Sequence, residues 1–164
     1  MRRNAGFTLI ELLLVLAIIG IISAIAVPAL LGQREKSRDK ASISNVTGHL
    51  GALVGQYEAC VEIGMPPAQI TASLQAYLAS TVGTIQSPWG GGVAFNTTPR
   101  ILSGCVTLDE FNAAMAPNAS TILGKVRVYI QYPVGGDPGY VGMVTNLKQQ
   151  VNGSQVYFRS SGLD

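Results

Sequence analysis

Hydrophobic and polar positions follow three regimes along the chain. From Leu12 to Leu31 only Gly20, Ser23 and Pro28 depart from plainly apolar character, and no polar face develops. A helix of that length spans about 30 Å, the thickness of a bilayer core. Apolar residues all the way round predict burial in lipid or in a larger assembly. The next regime opens abruptly with "REKSRDK", Arg34 to Lys40, where opposite charges sit three apart at Glu35/Arg38 and Lys36/Asp39. That spacing predicts a solvated helix face. Beyond it Ile43, Val46, Leu50, Leu53, Val54, Tyr57 and Val61 recur every three or four residues, the stripe of an amphipathic helix. Gly64, Pro66 and Pro67 stop it. One helix from Phe7 to about Ile63 is predicted, roughly 85 Å long at 1.5 Å per residue, with a bend at Pro28.

In the third regime a shorter helix is expected over "AQITASLQAYLAS", with Ile70, Leu74, Tyr77 and Leu78 on one side. "SPWGGG" is a turn. Strands are expected at Gly92–Asn96, Ile101–Leu108, Lys125–Tyr132, Tyr140–Leu147 and Gln155–Arg159. Val126, Val128, Ile130 and Tyr132 alternate onto one face, "PVGGDPG" reads as a hairpin connection, and "LDEFNAAM" as one or two helical turns. Strands in a block after the helices, rather than alternating with them, favour an α+β fold: an antiparallel sheet with a helix laid across it.

Composition agrees with a lipid- or protein-facing segment: 48% of residues are apolar and 12% charged, against an ordinary quarter or so. The net charge of +2 comes from Arg2 and Arg3; from Phe7 onward nine basic and nine acidic residues balance. That gives no support for a nucleic-acid-binding surface. His49 is the single histidine, which argues against a metal centre and a catalytic triad. Gly90–Gly92 and Gly135–Gly136 match no nucleotide-binding pattern and read as turns. No enzyme and no cofactor is expected. The four Asn-x-Ser/Thr triplets, at Asn45, Asn96, Asn118 and Asn152, are a weak pattern in so polar a body. If the body lies outside the cytoplasm, the two cysteines, Cys60 and Cys105, are read by default as a disulfide.

Glu11 stands out, because no other charge occurs between Arg3 and Arg34. Three readings compete. In a secretory signal peptide, Arg2 and Arg3 form the basic region and "AIA" at Ala24–Ala26 the cleavage site, but Glu11 is left unexplained. In a permanent anchor Glu11 is an incidental charge near the headgroups. In the third reading Glu11 is a contact residue. A cut between Gly6 and Phe7 frees an α-amine that pairs with Glu11 of a neighbouring copy, setting register more than adding stability.

"RRNAGFTLIELLLVLAIIGIISAIAVPAL", Arg2 to Leu30, resembles the N-terminal segment of type IV pilins and type II secretion pseudopilins. The likeness rests on a short basic leader, glycine then phenylalanine at the cut, the acid in "TLIE", and Pro28; it is strong over the first 30 to 40 residues. The resemblance implies cleavage at Gly6–Phe7 by a prepilin peptidase and N-methylation of Phe7. It implies subunit registration by Phe7 and Glu11 and a helix kink at Pro28. It also implies a homo-oligomeric helical filament built by pilus or secretion assembly machinery after a stay in the bacterial inner membrane. The expected parts are a leader (1–6), a transmembrane or filament-core helix (7–31), its amphipathic half (32–64) and a pilin-like globular head (65–164). The filament is expected to be an extracellular type IV pilus serving adhesion, motility or DNA uptake; a periplasmic type II secretion pseudopilin or a minor pilin is the alternative. Family members usually close a disulfide near the C-terminus, whereas Cys60 and Cys105 here lie on the long helix and mid-domain. A Cys60–Cys105 bond would tie helix to sheet and contribute about 4 kcal/mol. Against the positive-inside rule, the leader holds two basic side chains and the Arg34–Lys40 segment four.

Overall fold

The computed structural model describes residues 6–103, 107–116, 122–133, 139–151 and 153–163. The chain divides into two compact units, 1–36 and 37–164. Helix α1 (Leu9–Glu62) runs from the first into the second and continues through Pro28 without interruption. In the first unit every described residue from Gly6 to Leu31 is exposed; Phe7 retains 78% of its surface and Leu9 75%. This segment is long and apolar enough to cross a membrane.

The second unit is an α+β body. Its part of α1 ends in a two-bond cap, Met65 N–H donating to Cys60 O (3.1 Å) and Gly64 N–H to Val61 O (2.8 Å). Gly64 turns the chain with φ +72°, a conformation that costs glycine nothing. Pro66 and Pro67 then open α2 (Pro67–Thr81), where a missing proline N–H is harmless in the first turn. β1 (Arg100–Ile101), α3 (Leu108–Met115), β2 (Val126–Gln131), β3 (Gly139–Val151) and β4 (Ser154–Leu163) complete the body.

The sheet order is β1-β2-β3-β4. β2–β3 and β3–β4 are antiparallel, with Val128 opposite Met143 and Val144 opposite Phe158. β1 joins β2 in parallel, Ile101 opposite Ile130, so the sheet is mixed and not wholly antiparallel as expected. The cause is topological: β1 enters β2 through a connection that holds α3, long enough to return the chain in the same direction. Two other strand expectations are also corrected. Gly92–Asn96 makes only isolated bridges, Gln86–Val93 and Phe95–Val126. In the Ile101–Leu108 stretch only Ile101 is strand among the described residues, and Leu108 already belongs to α3.

One core lies between the helices and one sheet face. Val46, Leu50, Leu53 and Tyr57 of α1 and Ile70, Leu74 and Leu78 of α2 cover Val126, Val128, Ile130, Tyr132, Val141 and Met143. The predicted alternation of β2 therefore holds. Its other face is not solvated: Tyr129, Tyr140 and Val144 are buried beneath Phe111 and Met115 of α3. A capping box starts α3, Thr107 and Glu110 each bonding the other's backbone N–H. A Cβ at Gly142 would run into Met115 Sδ and Phe111 Cε1, so α3 seats only on a bare backbone there. The buried stripe of α1 is Asp39, Ser42, Val46, Leu50, Leu53, Tyr57 and Cys60. Ile43 is half-buried and Val61 exposed, which moves the stripe off the predicted line at both ends.

Candidate functional site: the helix start and the Asp39 cluster

Gly6, Phe7 and Thr8 precede the first helical turn and are exposed. Among the described residues nothing lies within 4 Å of where a Gly6 Cβ would sit. Thr8 caps α1: its N–H (2.9 Å) and hydroxyl (2.7 Å) both donate to Glu11 Oε2, and its Oγ1 accepts from the Glu11 N–H (3.3 Å). Thr8-x-x-Glu11 is thus a capping box, satisfying two donors that a helix start otherwise leaves orphaned. The Thr-x-x-Glu signal stands in "TLIE", but none of the three readings of Glu11 drawn from the sequence uses it. The side chain itself is exposed on an apolar surface.

The second place where charge is handled specifically was not foreseen. Asp39, read as part of a solvated helix face, is 4% exposed and is the first buried residue along α1. Its Oδ1 accepts from Trp89 Nε1 (3.2 Å) and from the Lys148 N–H (3.1 Å), and its Oδ2 from the Gln149 N–H (2.9 Å). Those two amides lie where the β3–β4 register shifts, between Asn146 and Val151. The carboxylate takes up donors that the ladder releases there. The Arg38 guanidinium carbon and the Lys148 Nζ stand 5.4 and 5.9 Å from the centre of the Trp89 ring, within cation–π range. Gly124 (φ +69°) closes the corner, because a Cβ there would meet Trp89, Ser42 and Ser87. Charge spacing alone could not find this arrangement, since its partners lie 50 to 110 residues away.

The other sequence candidates fall as follows. Pro28 lies inside α1. Among the described residues Cys60 has no disulfide partner; its buried sulfur lies 3.4 Å from Ser73 Oγ. Cys105 lies outside the described residues. His49 packs edge-on against Phe95, centroids 5.2 Å apart. Tyr57 and Tyr132 stack at 6.1 Å, and the Tyr132 hydroxyl shares a hydrogen bond with Thr71 Oγ1 (2.6 Å). Burial raises the pKa of both phenols; for Tyr57 the nearby Tyr132 adds to it, and for Tyr132 the Thr71 bond opposes it. Among the described residues no group of three His, Cys, Asp or Glu side chains could hold a metal.

Comparison with known proteins bears on both ends of this arrangement. The family described as "Prokaryotic N-terminal methylation motif" matches residues 1–27, the segment that holds Gly6, Phe7 and the capping box. The type IV wide pilus major component PilA4 of Thermus thermophilus is 35% identical over 115 residues, covering 60% of this chain and 85% of that protein. The type II secretion system core protein G of Aeromonas hydrophila is 38% identical over 52 residues, 32% of this chain and 36% of that protein. The type IV major pilin protein PilA of Myxococcus xanthus is 48% identical over 44 residues, 27% of this chain and 20% of that protein. The chain thus spans about a third or less of the last two relatives, but most of the first. No solved structure matches significantly. With the methylation motif at its start, an exposed apolar helix, an α+β body and a relative matched over most of its length, the chain belongs to the family of type IV pilins and type II secretion pseudopilins.

Proposed function

We propose that the chain is the structural subunit of a type IV pilus. It is cut between Gly6 and Phe7 by a prepilin peptidase, N-methylated at Phe7 and polymerised through the apolar part of α1. Before assembly it sits in the bacterial inner membrane as a single-span precursor. The observation that carries this reading is the run from Gly6 to Leu31, wholly exposed and apolar apart from Thr8, Ser23 and one acid near its start. Side chains of this kind, left in water, are strongly unfavourable, so the segment needs lipid first and neighbouring copies afterwards.

Glu11 suits the transfer. Both Thr8 donors reach Oε2, and Oε1 accepts neither of them. A neighbour's Phe7 amine can therefore approach Oε1 without dismantling the cap. Removing the carboxylate strands that amine in an apolar bundle, a loss on the order of 3–5 kcal/mol per contact. Glu11→Ala is expected to give a stable membrane protein that fails to enter filaments in cells lacking a wild-type copy. Normal filament yield from that variant refutes the assignment.

A pseudopilin of a type II secretion system is the second reading, favoured by the core protein G relatives. Those similarities stop after about the length of α1, whereas the likeness to PilA4 spans 115 residues. The longer relation supports the pilus. Electron microscopy of sheared surface material separates the two, long fibres carrying this chain being the pilus outcome. A Cys60–Cys105 bond in the exported protein belongs to the same proposal, and both thiols are then blocked to alkylation until reduced.

A further inference from the structure

Gly6, Phe7 and Thr8 are not helical, and the first turn of α1 begins at Leu9. A helix wound one turn further back would bond the Ile10 N–H to the Gly6 carbonyl and the Glu11 N–H to the Phe7 carbonyl. Neither bond is made. The Glu11 N–H goes to Thr8 Oγ1 instead (3.3 Å). The Thr8 N–H and hydroxyl are held in turn by Glu11 Oε2, at 2.9 and 2.7 Å. The first helical bond is therefore Leu12 N–H to Thr8 O (3.3 Å), and among the described residues no backbone N–H donates to the Gly6 or Phe7 carbonyl. The capping box thus sets the boundary of α1 with the Gly6–Phe7 peptide just outside it. Glycine at position 6 disfavours back-winding as well, because it loses the most backbone freedom in a helix.

We propose that Thr8 is a positioning residue for the cut: its side chain stops α1 at Leu9 and thereby holds the Gly6–Phe7 peptide in the open backbone that a peptidase needs. The inference rests on the processing reading above and adds to it the reason this bond can be reached. Hydrolysis breaks the bond between the Gly6 carbonyl carbon and the Phe7 nitrogen; water supplies OH to the carbon and H to the nitrogen. The Gly6 carbonyl must then be open to the attacking water and to the donors that stabilise its developing oxyanion. The flanking backbone groups must also be free to bond the enzyme in extended form. One more helical turn would commit both carbonyls to Ile10 and Glu11. Thr8 prevents this by taking the Glu11 N–H for itself. Its role lies in where the helix begins, so any side chain that caps a helix should serve, whatever its shape.

The test is a cleavage assay on the full chain in detergent micelles, read by intact mass, with a prepilin peptidase shown to be active on another pilin precursor. Wild type is compared with Thr8→Ser, Thr8→Asn, Thr8→Ala and Thr8→Val. Serine and asparagine cap helices; alanine and valine do not, although valine has the shape of threonine. The expected result is cleavage at Gly6–Phe7 with kcat/KM within about twofold of wild type for Thr8→Ser and Thr8→Asn, and about fivefold lower for Thr8→Ala and Thr8→Val. A carbon-13 label in the Phe7 carbonyl checks the cause: its chemical shift should move toward the helical value in Thr8→Ala and Thr8→Val alone. Thr8→Val cut like wild type while Thr8→Asn is slow shows a peptidase reading side-chain shape, and overturns the proposal. Five equal rates overturn it too, as does slowing of Thr8→Ala and Thr8→Val with no move in the Phe7 shift. These outcomes leave the processing reading standing, because wild type is still cut at Gly6–Phe7. A wild-type chain left whole, or cut elsewhere, overturns both.

Discussion

Asp39→Ala removes the one buried charged side chain among the described residues of the body. The carboxylate accepts three N–H bonds at 2.9–3.2 Å from elements far apart in sequence. Bonds to a charged group contribute about 1.5–3 kcal/mol each, but bonds sharing one carboxylate are not additive. Lys148 is exposed and Gln149 half-buried, so water can reach the amides once the carboxylate is gone, which discounts the penalty for unpaired donors. The net loss expected is about 2–4 kcal/mol. Asp39→Asn keeps one acceptor oxygen and should lose about half as much. Lys40→Ala, one residue away but exposed, should stay within about 0.5 kcal/mol. Urea titration of the detergent-solubilised chain, followed by Trp89 emission, measures all three. Asp39→Ala also removes the Nε1 bond, so the native emission should shift before any unfolding. Equal midpoints for Asp39→Ala and Lys40→Ala would refute the assignment of Asp39 as the anchor between α1, the Trp89 loop and the end of β3.

Three further outcomes follow from the same packing. Thr145 Oγ1 is buried without a partner among the described residues, so Thr145→Val should raise stability by about 1 kcal/mol in the same titration. Gly142→Ala places a methyl against Met115 and Phe111 and should cost about 1–3 kcal/mol, with the loss reduced when Met115 is shortened to Ala in the double variant. The raised phenol pKa values of Tyr57 and Tyr132 mean that the folded state holds its protons more tightly than the unfolded chain. That stability is fully present below the ordinary tyrosine pKa and is lost as pH rises from about 10 upward. Tyr57→Phe should flatten the alkaline arm of the pH–stability curve while leaving its neutral region near its wild-type height.

The sequence made some of these features legible and concealed others, for physical reasons. α1, α2 and the inward face of β2 were readable because a helix or strand that buries one face prints its own period in the chain, as at Leu50, Leu53 and Tyr57 or Val126, Val128 and Ile130. The Gly64 stop was readable because only glycine relaxes at that φ. The parallel edge strand was not: two residues carry no period, and a parallel pair is set by the α3 crossover. α3 covering the second face of the sheet was half-visible as "LDEFNAAM"; that Tyr129 and Tyr140 need such a cover was missed because buried tyrosines look amphipathic in sequence. β4 proved longer than expected, and Gly153 just before it turns the chain with φ +81°. At the helix start the acid was noticed and its own cap was not. Asp39 shows the general limit: a charge satisfied by backbone amides a hundred residues away leaves no local pattern, and within "REKSRDK" it is indistinguishable from its solvated neighbours.

Polymerisation as proposed requires a processed N-terminus that leaves the Thr8–Glu11 cap at the very front of the filament helix. N-terminal sequencing combined with intact mass of the chain recovered from cells measures this directly. The prediction is a mature protein beginning at N-methylated Phe7. A protein beginning at Val27, which discards the apolar part of α1, would contradict it, as would one that keeps Met1 after export.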